Sequence, residues 1–205
     1  MNVFLFIFRT IALCAAAVCL VGCSLLNPPK GITTRSFVLT PMIQATPPAR
    51  SGSTNLVVGI RRVRVPDYLS GKSFAMRKGT NEIVYLETAE WAEPLENALQ
   101  SVLAEDLGAL IPTDQIRLSI WEPGTVAVEV EVSVERFDVD THGEGVLKAR
   151  WLVRSTGNER ELGSGSFSAI RKGPAPNSDP QGATALLSGL AADLAHKLAQ
   201  AIKRS

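Results

Sequence analysis

VAVEVEVSV, residues 126–134, places a valine at every second position, with small or acidic residues between. That period of two is the mark of a strand with one face buried and one face wet. Leu147, Ala149, Trp151 and Val153 repeat the pattern and make a hairpin partner for it, with Lys148, Arg150 and Arg154 pointing outward. The outward glutamates of the first strand, Glu129, Glu131 and Glu135, then face basic residues across the pair, an arrangement that supports antiparallel pairing.

Outward from this pair, the chain alternates between strand and helix periods. On the N-terminal side, Ile116, Leu118 and Ile120 alternate as a strand, and Leu95, Leu99, Val102, Leu103 and Leu107 recur at helical spacing. Pro94 belongs in the first turn of that helix, where a missing N–H costs nothing, and Gly108 and Pro112 end it. Earlier still, Leu56, Val58 and Ile60 form a strand continued by Val63 and Val65. Phe74–Arg77 and Glu82–Leu86 flank the turn Lys78-Gly79-Thr80-Asn81. On the C-terminal side, Phe167–Ile170 reads as a strand. A last helix starts at the N-cap Asp179 and Pro180 and carries Leu187, Leu190, Leu194, Leu198 and Ile202. The expected fold is a single α/β domain over about 54–205, a mixed sheet packed with two long amphipathic helices, with α+β as the alternative description.

The three cysteines, Cys14, Cys19 and Cys23, all lie in the first 23 of the 205 residues. Arg9 precedes an apolar run of eleven residues, Ile11–Val21, and small Gly22 stands before Cys23. This is the layout of an export signal over 1–22, and as a helix the run spans only about 16 Å. The competing reading, an uncleaved anchor over 3–26, would leave Arg9 inside the hydrocarbon at a cost of at least about 2.5 kcal/mol. Leu20-Val21-Gly22-Cys23 resembles a bacterial lipobox, which implies that the Cys23 thiol takes a diacylglycerol and that cleavage discards Cys14 and Cys19. Ser24 follows, where many proteobacterial lipoproteins retained in the inner membrane carry Asp, so lipid anchoring on the periplasmic face of the outer membrane is expected. Residues 23–53 then form a lipidated N-terminus and tether, with Pro28-Pro29 and Pro47-Pro48 stiffening it and a short strand at Thr33–Leu39.

Little in the remaining chain suggests chemistry. The net charge is +1, and loss of Arg9 with the signal would cancel it, so no nucleic acid partner is expected. Without cysteine beyond 23, the mature chain has neither internal disulfides nor a thiolate metal site. Asp138, Asp140, His142 and Glu144 are spaced to share one face of an extended chain, as a divalent cation site would need. Gly143 and Gly145 instead mark a hairpin loop whose charges are simply wet, and strand parity breaks at Glu135-Arg136. His196 lies off the leucine stripe of the last helix, on its surface. Gly163-Ser164-Gly165-Ser166 is not a nucleophile elbow and reads as a bend or bulge beside a strand. No phosphate loop or dinucleotide fingerprint is present, so no cofactor, metal or catalytic residue is assigned and an enzyme is the weaker class.

One long stretch is more distinctive than its periodicity. Val65-Pro66-Asp67-Tyr68-Leu69, then Met76-Arg77, then Trp91-Ala92-Glu93-Pro94-Leu95 closely resemble the ABC-type transport auxiliary lipoproteins, the PqiC-like subunits of MCE (mammalian cell entry) envelope transport systems. The lipobox, the 147–153 strand and the terminal helix fall in the same order. The resemblance implies a non-catalytic lipoprotein working with an MCE-domain protein and an ABC permease/ATPase in moving lipids or other apolar molecules. It is compatible with ring-like homo-oligomers, and it makes Pro66, Tyr68, Leu69, Arg77, Trp91, Glu93 and Pro94 the motif residues. These belong either to turn and core packing or to partner contact. The alternative function is a generic outer-membrane assembly or structural lipoprotein.

Overall fold

A computed structural model describes residues 33–44, 55–111, 113, 115 and 116–203. The signal, Cys23, the tether up to Ile32 and most of the second proline-containing loop lie outside the described residues. The described residues from Thr34 onward belong to one compact unit.

Its centre is β6 (Val128–Asp140), paired along its length with β7 (Glu144–Ser155), which in turn pairs with β8 (Glu161–Lys172), all antiparallel. The opposite edge of β6 is shared. Its first part takes β2 (Val58–Ile60) in parallel, followed outward by β5 (Ile116–Leu118), and Arg64 bridges to Ser133 midway. Its last part takes β3 (Ser73–Lys78) in parallel; β4 (Glu82–Trp91) and then β1 (Arg35–Phe37) lie beyond. The result is one mixed sheet of eight strands. Helix α1 (Leu95–Leu110) packs on β5 and on α2 (Pro180–Ile202), and α2 lies across β6, β7 and β8.

The valines of 126–134 do what their period demands. Val128, Val130, Val132 and Val134 are buried toward the helices, together with Leu147, Ala149, Trp151 and Val153 of β7. The leucine stripes of both helices close that core: Leu95, Leu99, Leu103 and Leu107 from α1, and Leu187, Leu190, Leu194 and Leu198 from α2. Asp179 caps α2 through a hydrogen bond that its Oδ1 accepts from Gly182 N at 2.9 Å.

Several elements differ from expectation, each for a local reason. Helix α1 passes through Gly108 and ends at Leu110; Ile111 is already extended, with φ −106° and ψ 134°, as suits the residue before a proline. Pro94 is the residue before the first helical turn, and its carbonyl accepts from Asn97 N and Ala98 N at 2.9 and 3.1 Å. Strand β4 runs on to Trp91 because β1 and β3 satisfy its backbone on both sides. Strand β8 absorbs the glycine–serine run, with Leu162 as an extra residue where the register shifts. Gly163 leaves room there for the Trp151 ring, from which a Cβ would stand 3.3 Å. Strand β5 stops at Leu118, and Ile120 leaves the sheet.

Candidate functional site

The motif residues form one connected unit on the sheet. Pro66, at φ −60° and ψ 152°, starts a single 3₁₀ turn over Asp67–Leu69, and its carbonyl accepts from Leu69 N at 2.9 Å. The turn sends neighbouring side chains in opposite directions. Leu69 enters the core. Tyr68 lies over the outer face and donates its hydroxyl to Asp138 Oδ2 at 3.0 Å.

Asp138 reaches that face because Glu135 is an extra residue in β6, opposite a register shift in β7. The bulge reverses strand parity. Phe137 and Val139 turn inward, and Arg136 and Asp138 turn outward. Arg77 of β3 donates to both carboxylate oxygens of Asp138, with Nη2 at 3.0 Å from Oδ2 and Nε at 3.2 Å from Oδ1. Arg136 Nε donates to Oδ1 at 2.9 Å. Arg77 also donates to the Tyr68 hydroxyl at 3.4 Å, and the Tyr85 hydroxyl donates to the Tyr68 carbonyl at 3.1 Å. Burial, followed by the Asp138 carboxylate, pushes the Tyr68 hydroxyl up to about 12. The hydrogen bond to Asp138 also raises the Arg77 guanidinium, against the effect of burial. With two guanidinium groups and a phenol on one carboxylate, the cluster is a charged joint between the turn, β3 and β6.

The second half of the motif meets the first through backbone. Trp91 N donates to Lys72 O at 2.7 Å, Leu95 N to Gly71 O at 3.0 Å, and Ala92 N to Phe37 O at 2.8 Å. The Trp91 ring stacks on Phe74 with centroids 4.6 Å apart, and Phe37 meets Phe74 edge-on at 6.2 Å. Thus Pro66, Tyr68, Leu69, Arg77, Trp91 and Pro94 belong to one packed region joining β1, β3, β4 and the start of α1. Glu93 is exposed beside it.

Asp138, Asp140, His142 and Glu144 do not converge. Asp138 is not a wet loop residue but fully buried in the arginine cluster. Asp140 Oδ1 accepts from His142 N and Glu144 N, both at 2.8 Å, and ties the β6–β7 turn. Burial opposes its charge, yet those two N–H groups hold its carboxyl below the usual range. His142 is exposed.

One feature escaped the sequence reading. Thr40–Ile43 straps the helical layer: Thr40 N donates to Ser188 Oγ of α2 at 3.1 Å, and Met42 N and Ile43 N donate to Asp106 Oδ1 of α1 at 3.0 and 2.9 Å. Asp106 Oδ2 is buried without a partner, and burial raises its carboxyl despite the two N–H donors. The signal was present, since Asp106 falls three residues after Leu103 on the apolar stripe. On the outer face the expected acidic–basic pairing across β6 and β7 is present, and Arg61, just after β2, joins it. Glu129 accepts from Arg61 and, at 2.9 Å, from Arg154, which also reaches Glu131 at 2.9 Å. Burial opposes the Glu129 charge, but those arginines hold its carboxyl low.

Among the described residues no helix is long and apolar enough to cross a membrane. Comparison with solved structures shows the same fold in an uncharacterized protein, with TM-score 0.66 and 21% identity, covering 83% of this chain and 99% of that one. Protein XCC0632 from Xanthomonas campestris aligns with TM-score 0.64 and 14% identity, over 80% of this chain and 93% of that one. Two sequence relatives are the intermembrane transport lipoprotein PqiC of Escherichia coli K12 and that of Shigella flexneri. Each is 24% identical over 142 residues, which is 69% of this chain and 72% of the relative. The family model for the ABC-type transport auxiliary lipoprotein component matches residues 37–199, from the end of β1 to near the end of α2. That span takes in the Asp138 cluster, the Trp91 stack and both helices, and on it the chain belongs to the ABC-type transport auxiliary lipoprotein component family.

Proposed function

We propose that this chain is a lipid-anchored, non-catalytic adaptor in an intermembrane lipid transport system. It acts on the periplasmic face of the outer membrane with an MCE-domain protein and an ABC permease/ATPase. The observation that carries the reading is the family match over 37–199. A lipobox ending at Cys23 and the name of the PqiC relatives support it. So does the character of the Asp138 cluster, whose charged groups are spent on one another. The tether Ser24–Ile32 has nine residues and reaches at most about 30 Å extended, which keeps the body beside the bilayer holding its acyl chains. Loss of the adaptor would weaken the envelope against membrane-perturbing compounds.

Crosslinking in native membranes, followed by identification of the captured proteins, tests the partner assignment. The expected result is recovery of an MCE-domain protein. Cys23→Ser should remain unprocessed and take no lipid label. A form exported with a non-lipoprotein signal should reproduce much of the deletion defect. Normal envelope behaviour of that soluble form, with no MCE partner recovered, overturns the adaptor reading and leaves a structural lipoprotein.

A further inference from the structure

Ile120 is 92% exposed, yet its loop is tied down by contacts on both sides. Ser119 sits at φ +68°, a left-handed conformation that non-glycine residues adopt only when surroundings impose it. Here Ser119 N donates to Ile60 O at 3.0 Å and its hydroxyl to Gln100 Oε1 at 3.1 Å. The buried Gln100 in turn donates to Ile60 O at 2.9 Å. On the other side of Ile120, the Trp121 ring lies flat over Gly59, where a Cβ would come within 2.7 Å of it. The Arg61 guanidinium sits 5.4 Å from the Trp121 ring centroid. An apolar side chain is thus held out into solvent by a braced loop.

One side of the tip carries three arginines. A pocket of about 250 Å³ beside it is lined by Arg61, Arg62, Arg64, Ser119, Glu131 and Val132. Its one carboxylate, Glu131, is already held by Arg154 at 2.9 Å. Arg64 is 3.8 Å from Glu131, and among the described residues Arg62 has no ion-pair partner. Guanidinium forks suit phosphate oxygens. An exposed apolar tip with arginines along one side, and exposed Glu122 beyond Trp121, has on its arginine side the composition of an interfacial membrane contact. A single isoleucine with half-exposed Leu118 offers far less area than a stable protein interface needs.

We propose that the Ile120 tip, with Arg62 and Arg64 beside the Glu129-bound Arg61, forms a docking surface for anionic phospholipid headgroups. Ile120 enters the headgroup–acyl boundary, and Arg62 and Arg64 bind lipid phosphates. This rests on the anchored reading above, which places the body beside a bilayer, and it gives that body a defined orientation there.

Tryptophan fluorescence tests it in the full-length protein, purified from membranes in detergent and reconstituted into vesicles. The vesicles contain brominated phosphatidylcholine, with or without phosphatidylglycerol. Trp91 and Trp151 are buried in the core, so quenching by bromine should come from Trp121 and vanish in Trp121→Phe. It should need phosphatidylglycerol and weaken with salt. It should fall at least about twofold in Arg62→Glu and in Ile120→Asp, with melting unchanged because both positions are exposed. Flotation with the vesicles but no Trp121 quenching overturns the docking surface and leaves the anchor intact. Failure to float overturns both. Quenching that tracks protein density and not phosphatidylglycerol assigns the tip to contact between copies and also overturns the proposal.

Discussion

Asp138 and Asp106 are both fully buried carboxylates, one on the outer face of the sheet and one in the helical layer, and their surroundings differ in kind. Asp138 has two guanidinium groups and a phenol on its oxygens. Asp106 has two backbone N–H donors on one oxygen and nothing on the other. The first site suits a charge, and the charge joins the turn and β3 to β6, where Asp138 lies 61 residues beyond Arg77. The second keeps an acceptor where two amides need it, and its charge is a liability. The polar fastening of the motif side is therefore by ion pairs, and that of the strap across the helices is by backbone dipoles, beside the packing of Leu39 and Ile43.

The largest test of that difference is Asp138→Ala. It leaves Arg77 and Arg136 facing each other without an anion, and breaking a buried pair costs about 3–5 kcal/mol. Their side chains retain 18% and 26% exposure, so water relieves part of it and the lower end is expected in urea unfolding. A loss below about 1 kcal/mol would mean that the cluster does not fasten the turn. Asp106→Ala should cost less, about 1–3 kcal/mol for stranding buried N–H groups. Hydrogen exchange separates the two: Met42 and Ile43 amides should lose protection in Asp106→Ala and keep it in Asp138→Ala. Equal protection in both would show that the strap is held by Leu39 and Ile43 packing and not by Asp106.

The same contrast explains what was readable in the sequence. The valines of β6 and the leucines of both helices announce their burial because one apolar face repeats at a fixed period. The partner of Asp138 does not repeat: Arg77 lies 61 residues away, and it meets Asp138 only because one extra residue, Glu135, inverts the strand. The parity break at Glu135-Arg136 was visible, but its consequence, a buried carboxylate in place of a wet loop, depends on tertiary pairing. Strand β8 was under-read because glycine and serine carry no apolar period, while β7 supplies backbone bonds regardless. The motif residues were legible through resemblance, and their joining through Gly71 and Lys72 was not. Ile120 was read into β5 by alternation, and the left-handed Ser119 overrode that alternation.

Tyr68→Phe is a smaller perturbation on the sheet side. It removes one hydrogen bond to an acceptor that keeps both arginines, so a loss of about 1 kcal/mol is expected. Arg77 should hold its place, which unchanged protection of the β3 amides would check. A loss as large as that of Asp138→Ala would make the phenol, and not the ion pairs, the main fastener.

The smallest expected effect, and the sharpest for the comparison, is Asp106→Asn. Burial raises the Asp106 carboxyl in the folded chain, Glu105 adds to the rise, and His196 and the two amides oppose it. The folded state therefore binds more protons than the unfolded one as pH rises from the unfolded value of about 3.9, and stability falls across that window. Glu129 behaves in the opposite sense: its carboxyl is lowered by Arg61 and Arg154, so its contribution is present above the unfolded glutamate value and lost as pH falls through the folded one. Asparagine keeps the acceptor oxygen for Met42 and Ile43 and removes the charge. At neutral pH the variant should match or slightly exceed the parent, by less than the ~1 kcal/mol of one hydrogen bond. The fall of stability with rising pH attributable to Asp106 should disappear, while the acid-side loss from Glu129 remains. Urea unfolding of both proteins from about pH 2.5 to pH 8 reads this directly. A variant that is less stable than the parent at neutral pH would show that the Asp106 charge is compensated, and the contrast between the two carboxylates would fail.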